Sequence, residues 1–173
     1  MKAISLSQPW ASLVASGAKK FETRSWRSHY RGPLLIHAGK RISPEARALV
    51  STEPFKAALK RTPYWSLQRG VVIAIVNMTG CFEIRDDLSS CGLNEVLMSG
   101  TWELPFGDYS AGRFAWQFSE VMAFPEPFFA KGCLGLFDVP DRSIELATED
   151  IDEHGEWYEG PFWCELCKSY ADI

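Results

Sequence analysis

The chain lacks any apolar run long enough to cross a bilayer. Its longest, Val71 to Val76, falls far short of the roughly 20 residues that a spanning helix needs. The opening residues run apolar towards Ala15-Ser16-Gly17-Ala18, but Gln8 and Pro9 interrupt them, so they read as folded structure rather than a signal peptide. Cysteine is scarce: five residues, an odd number, form no regular framework. That excludes a disulfide scaffold and points to a reducing compartment, so a cytoplasmic location is expected. Cys164-Glu165-Leu166-Cys167 is a C-x-x-C, yet Cys133 and His154 do not complete a metal set at diagnostic spacing, and no strand-helix unit precedes it. No Walker loop, G-x-S-x-G or H-E-x-x-H occurs, which removes those phosphate-binding, serine-hydrolase and zinc-protease signatures. Internal repeats and low-complexity tracts are missing too. Neither a metal nor a cofactor is expected, and no membrane partner.

What is present fits one domain with an extension. The 173 residues are 46% hydrophobic, enough for a core without staples. Aromatics reach 13%, with seven Trp, so some can serve binding. The net charge of −4 opposes indiscriminate duplex binding, but it is unevenly spread. Residues 1–70 carry 13 Lys and Arg against three acids, whereas 71–173 carry five against 19. The asymmetry suggests one basic face and an acidic opposite side or tail; the competing reading is that sequence halves are not spatial halves.

Lys2 to Leu6 reads as a strand. Ser7 caps a helix beginning at Gln8, with Trp10, Leu13 and Val14 as its apolar stripe and Gly17 as its stop. Phe21 to Trp26 looks extended, and Ser28 to Gly32 is a loop bearing His29, Tyr30 and Arg31. Pro33 to Ala38 reads as a buried strand. Ser43-Pro44-Glu45 starts one helix, and Thr52-Glu53-Pro54 another that reaches Arg61. Gly70 to Ile84 is the longest strand candidate. Residues 86–112 are irregular, with a short helix near Leu93 to Met98. Arg113 to Phe124 and Gly132 to Val139 complete the strands. The pattern implies an α+β domain over 1–140: a small, partly closed β-barrel with helices at its ends. Residues 141–173 hold ten acids against two basic residues, together with Trp157, Tyr158, Phe162 and Trp163. They read as an acidic aromatic extension packed on the domain and able to meet a protein partner.

Gly17, Lys19, Glu22 and Arg24 form the spacing G-x-K-x-x-E-x-R. On an extended segment, Glu22, Arg24 and Trp26 share one face. A carboxylate can accept from an exocyclic base amine, a guanidinium can pair with phosphate or guanine, and an indole can stack on a base. A structural ion pair of Glu22 with Arg24 or Lys19, beside a core Trp26, is the competing reading. Lys19 is a solvated loop lysine, a phosphate contact, or, if desolvated beside Arg24, a base or nucleophile. Gln8 either projects towards the same cleft or serves only the helix start. Tyr30, Arg31, Lys40 and Arg41 extend a basic rim suited to a phosphate chain. His37, in an apolar strand, reads as a hydrogen-bonded core histidine.

Ser7-Gln8-Pro9-Trp10-Ala11, the G-x-K-x-x-E-x-R and Ser25-Trp26 together resemble the ASCH domain family. Tyr30-Arg31-Gly32-Pro33-Leu34-Leu35-Ile36 is similar to the strand after that motif, and Lys131-Gly132-Cys133-Leu134-Gly135-Leu136 to the closing strand of PUA-like barrels. The resemblance covers residues 2–140. It implies a PUA-like barrel with a ligand cleft at the motif, binding single-stranded RNA, another single-stranded nucleic acid or a modified nucleoside. It also implies an alternative, a hydrolase acting on RNA or a modified base, either a ribonuclease or an acylated-cytidine amidohydrolase. Lys19 and Glu22 would then be catalytic. Glu22 stands where the amidohydrolases carry threonine, so their triad is not carried over.

Overall fold

The computed structural model describes residues 1–85 and 103–140. The helix near Leu93 to Met98, the acidic extension and the C-x-x-C lie outside the described residues. Six strands form one mixed sheet: β1 (Lys2–Leu6), β2 (Phe21–Arg24), β3 (Gly32–Ala38), β4 (Val71–Glu83), β5 (Phe114–Phe129) and β6 (Leu136–Asp138). The sheet order is β2-β5-β4-β3-β1-β6. β1 and β3 run parallel and the other neighbours antiparallel. Because β2 and β6 are edges, the sheet curls without closing, and the expected partly closed α+β barrel is what forms.

Curling begins in β4 and β5. Their ladder slips at Val72/Ala74, Ile75/Asn77 and Met78/Gly80. Each slip adds local twist, so two long strands bend rather than lie flat. Glu120 in β5 takes φ 50°, and its carboxylate accepts from Asn77 Nδ2 at 3.0 Å across the irregular stretch. The concave side buries Ile4, Leu6, Leu34, Ile36, Val76, Met78, Trp116 and Phe118 against Ala11 and Val14. Ala3, Leu35, Val72, Ile75, Phe124 and Phe137 form a separate cluster. β3 is buried on both faces, which explains its continuous apolar run.

Three short helices cover one end: α1 (Trp10–Ala15), α2 (Pro44–Val50) and α3 (Phe55–Ala58). They pack Leu13, Ala46, Val50, Phe55, Leu59, Tyr64 and Phe106 into a helical cluster. Ser43 caps α2 as expected, its side chain accepting from the Ala46 amide at 3.2 Å. The other helices differ from expectation. α1 starts two residues later than Gln8 and has no side-chain cap, because Gln8 and Pro9 occupy a turn and the capping position falls to Pro9, whose side chain has no acceptor. α3 ends at Ala58 rather than Arg61, since Lys60 and Arg61 adopt positive φ. None of the described helices is long and apolar enough to cross a membrane.

Candidate functional site

The motif residues gather where β2, one edge of the sheet, comes round towards β1. α1 ends at Gly17, whose φ of +73° turns the chain and leaves open space where a side chain would stand. The turn carries Lys19 inward: it is 1% exposed, and its Nζ donates to the Phe106 carbonyl at 2.8 Å. Alternation along β2 then sends Phe21 and Thr23 one way and Glu22 and Arg24 the other. Glu22 Oε2 lies 3.8 Å from Lys19 Nζ, and Glu22 Oε1 lies 3.0 Å from Arg24 Nε. Arg24 Nη2 donates to the Ser5 carbonyl at 3.0 Å. β6 pairs with β1 only over Lys2–Ile4, so Ser5 lies beyond that ladder. One guanidinium thus bridges β2 to β1 where no strand pairing does.

The three charges are graded in depth, with side-chain exposures of 1% for Lys19, 12% for Glu22 and 28% for Arg24. Arg24 Nε is buried and makes no hydrogen bond despite its closeness to Glu22, so that contact is coulombic rather than directional. A fourth charge backs the cluster. Glu103, 1% exposed, accepts from the Lys20 and Phe21 amides at 2.9 and 3.2 Å and from the Tyr109 hydroxyl at 2.9 Å. Burial pulls the Lys19 pKa below its ordinary value, with Glu22 and then Glu103 opposing the shift. Burial, reinforced by Glu103, pushes the Tyr109 hydroxyl up.

Trp26 lies past the end of β2, so strand alternation does not place it. Its ring stands edge-on to Trp116, 4.5 Å between centroids, and its carbonyl accepts from Trp116 Nε1 at 3.4 Å. Trp116 is the cross-strand partner of Glu22. Directly paired residues share a face, so Trp116 joins the charged group to an indole that is 37% exposed.

The other expected residues are placed differently. Gln8 is fully buried, its Nε2 donating to the Gln68 carbonyl and its Oε1 accepting from the Ser12 amide. One end of its amide therefore serves the helix start and the other ties that start to Gln68. Tyr30 is half-buried, with its hydroxyl on the Pro33 carbonyl. Arg31 is exposed and holds its own loop through the Ser28 and Tyr30 carbonyls. Lys40 and Arg41 are exposed beyond β3. His37 is a buried, hydrogen-bonded histidine: Nε2 faces the Ala130 carbonyl at 3.2 Å and Nδ1 the Ser5 hydroxyl at 3.0 Å.

Glu103, Tyr109, Trp116 and the carbonyls of Ser5 and Phe106 were not anticipated. Alternation over Phe114 to Phe118 could have put Trp116 on an inward face. Nothing local marks Glu103, because it is defined by the strand it caps rather than by its neighbours in sequence. Among the described residues, no group of three or more His, Cys, Asp or Glu is arranged to hold a metal ion.

The ASCH domain family model matches residues 4–128. Activating signal cointegrator 1 of Mus musculus is 54% identical over 43 residues, which is 24% of this chain and 7% of that protein. The Homo sapiens protein of the same name is 49% identical over 43 residues, again 24% and 7%. The matched stretch thus spans a small fraction of those relatives' length. A crystal structure of ASCH from Zymomonas mobilis superposes with a TM-score of 0.49 at 14% identity, covering 83% of this chain and 90% of that one. A serine-to-alanine mutant of the same Zymomonas mobilis protein gives 0.46 at 14% identity, covering 84% and 92%.

Proposed function

The chain belongs to the ASCH domain family, and from that premise we propose that it is a nucleic-acid-binding module that takes single-stranded RNA, or a modified nucleoside, at the junction of β2 and β1. One observation carries this reading: Arg24, Glu22 and the exposed part of Trp26 are assembled around Trp116. A guanidinium has five N–H donors. The hydrogen bonds among the described residues occupy only Nη2, and Nε lacks an aligned acceptor. Donor capacity for a phosphate or a base edge therefore remains at the partly exposed end. Glu22 supplies the acceptor that a base amine needs, and Trp26 a flat apolar surface. Single strands suit the site because an unpaired base edge can enter between two strands, whereas a paired one is already occupied.

Arg24→Ala tests it. Hydrogen bonds to charged groups are worth about 1.5–3 kcal/mol, so the variant is expected to bind a randomised single-stranded RNA pool roughly 10- to 150-fold more weakly. Its circular dichroism should match wild type, since β2 keeps its backbone ladder to β5 without the side chain. Unaltered affinity in a folded variant rejects the reading.

A second reading, hydrolysis of RNA or of an acylated cytidine, is favoured by Lys19. A desolvated amine with a lowered pKa beside a carboxylate is the environment in which lysine acts as base or nucleophile. It requires turnover by purified protein that Lys19→Met abolishes; no product from either substrate class removes it.

A further inference from the structure

Trp65 is 58% exposed, yet its surroundings hold it in place. Its ring meets Tyr64 edge-on at 5.5 Å. Tyr64 is buried, and its hydroxyl accepts from the Ser43 amide at 3.2 Å. Arg69 lies over the Tyr64 ring at 4.4 Å, anchored to the Tyr64 and Leu67 carbonyls at 2.8 and 2.9 Å. On the outer side, the exposed guanidinium of Arg47 covers the Trp65 ring at 5.0 Å. The result is an exposed indole seated on Tyr64, with Arg69 on that ring, and covered by one exposed cation. The stretch that carries it, residues 40–69, holds seven Lys and Arg against two acids.

A continuous line of contacts joins this platform to the β2–β1 junction. Arg24 holds the Ser5 carbonyl, and the Gly39 amide donates to the neighbouring Leu6 carbonyl at 2.8 Å. From Gly39 the chain runs through exposed Lys40, Arg41 and Ile42 to Ser43, whose amide meets Tyr64. Four residue steps cover at most about 14 Å, a distance that a few nucleotides can follow.

We infer that Arg47 and Trp65 form a second base-stacking site, occupied by a single-stranded nucleic acid that leaves the Arg24 junction along Lys40 and Arg41. The inference rests on the nucleic-acid reading and extends it from one nucleotide to a track. The incoming base replaces Arg47 on the indole, and the displaced guanidinium turns to a phosphate. Magnitudes favour the exchange: an exposed cation–π contact is worth about 2- to 5-fold in an equilibrium, whereas a stacked base is worth about 5- to 150-fold. Charge selects the occupant, because the exposed path from Lys40 to Arg47 carries Lys40, Arg41 and Arg47 against Glu45 alone.

The test measures binding of the full chain to randomised RNA pools of 4 and 12 nucleotides, comparing wild type with Trp65→Ala, Arg47→Ala and Arg24→Ala. Wild type should bind the longer pool more tightly. Trp65→Ala should weaken the 12-mer roughly 5- to 150-fold and spare the 4-mer, Arg47→Ala should weaken the 12-mer less, and Arg24→Ala should weaken both. If Trp65→Ala leaves the 12-mer unchanged, the track is overturned while the junction stands. If Arg24→Ala changes nothing but Trp65→Ala weakens the 12-mer, the junction falls and the stacking site survives alone. Binding of neither pool by wild type overturns both. An acidic peptide spanning residues 141–173 is the control occupant: loss of its binding in Trp65→Ala, with RNA binding unchanged, would make this a protein-docking surface and end the inference.

Discussion

An ammonium group that is 1% exposed must be matched by lone pairs and opposite charge, and Lys19 finds both in Phe106, Glu22 and Glu103. The match is incomplete, since its pKa still falls below 10.5. A lowered folded-state pKa means that the unfolded chain binds the proton more tightly, so stability rises with pH through the window that ends at 10.5. Tyr109 acts in the opposite sense. Its folded pKa is raised above 10.0, so its contribution is present below that pH and is lost as pH climbs beyond it. Chemical denaturation between pH 8 and about 11 should therefore show a rise followed by a fall. Lys19→Met should flatten the rise, and Tyr109→Phe should soften the fall. A curve that Lys19→Met leaves unaltered would show that the ammonium is not the group being relieved.

Among the elements, the strap formed by β6 and the residues before it has one closely fitted point, at His37. Because the Ala130 carbonyl can only accept, the neutral His37 ring carries its proton on Nε2, and Nδ1 accepts from Ser5. Gly132 lies over this pair: a methyl group there would come within 2.4 Å of His37 Cε1 and 2.8 Å of Ser5 Oγ. Gly132→Ala should cost about 1–3 kcal/mol by overpacking, a fall in Tm of roughly 2–12 °C for a chain of this size. In a His37→Ala background the same change should cost less, because the obstructing ring is gone and the Ser5 hydroxyl is free to rotate away. Additive losses in that cycle would place the strain elsewhere. The strands themselves were legible where pattern is local. Lys2–Leu6 matches its element to the residue, β3 and β4 match within one, and the Ser43-Pro44 start was readable from its cap. Where pattern depends on distant partners it was not. Strand alternation could not reach Trp26, Gln8 turned inward to Gln68, and three residues enter the site only through distant partners: Ser5 through the curl of the sheet, Trp116 through the β2–β5 ladder, and Glu103 through the amides before β2.

For the whole molecule, the governing property is charge separation along the chain. Residues 141–173 carry ten acids and two basic residues, so without them the net charge of −4 becomes +4. Ending the chain at Pro140 should strengthen RNA binding several-fold in dilute buffer. That gain should vanish near about 0.5 M salt, where screening acts within a few ångströms. Equal affinities at low salt would mean that the acidic segment does not oppose the basic face.

The sheet also brings two distant points of the chain to one place. The Met1 ammonium donates to the Val139 carbonyl at 2.8 Å, and Lys2 pairs with Asp138 beside it. A short peptide could splice residue 139 to residue 1 and the backbone could be reopened at a surface turn, giving a circularly permuted protein with the same strand neighbours. By the same geometry, a fluorophore fused ahead of Met1 and one placed just after Pro140 would stand side by side, so energy transfer between them would be nearly complete in the folded domain and would fall when β1 and β6 part.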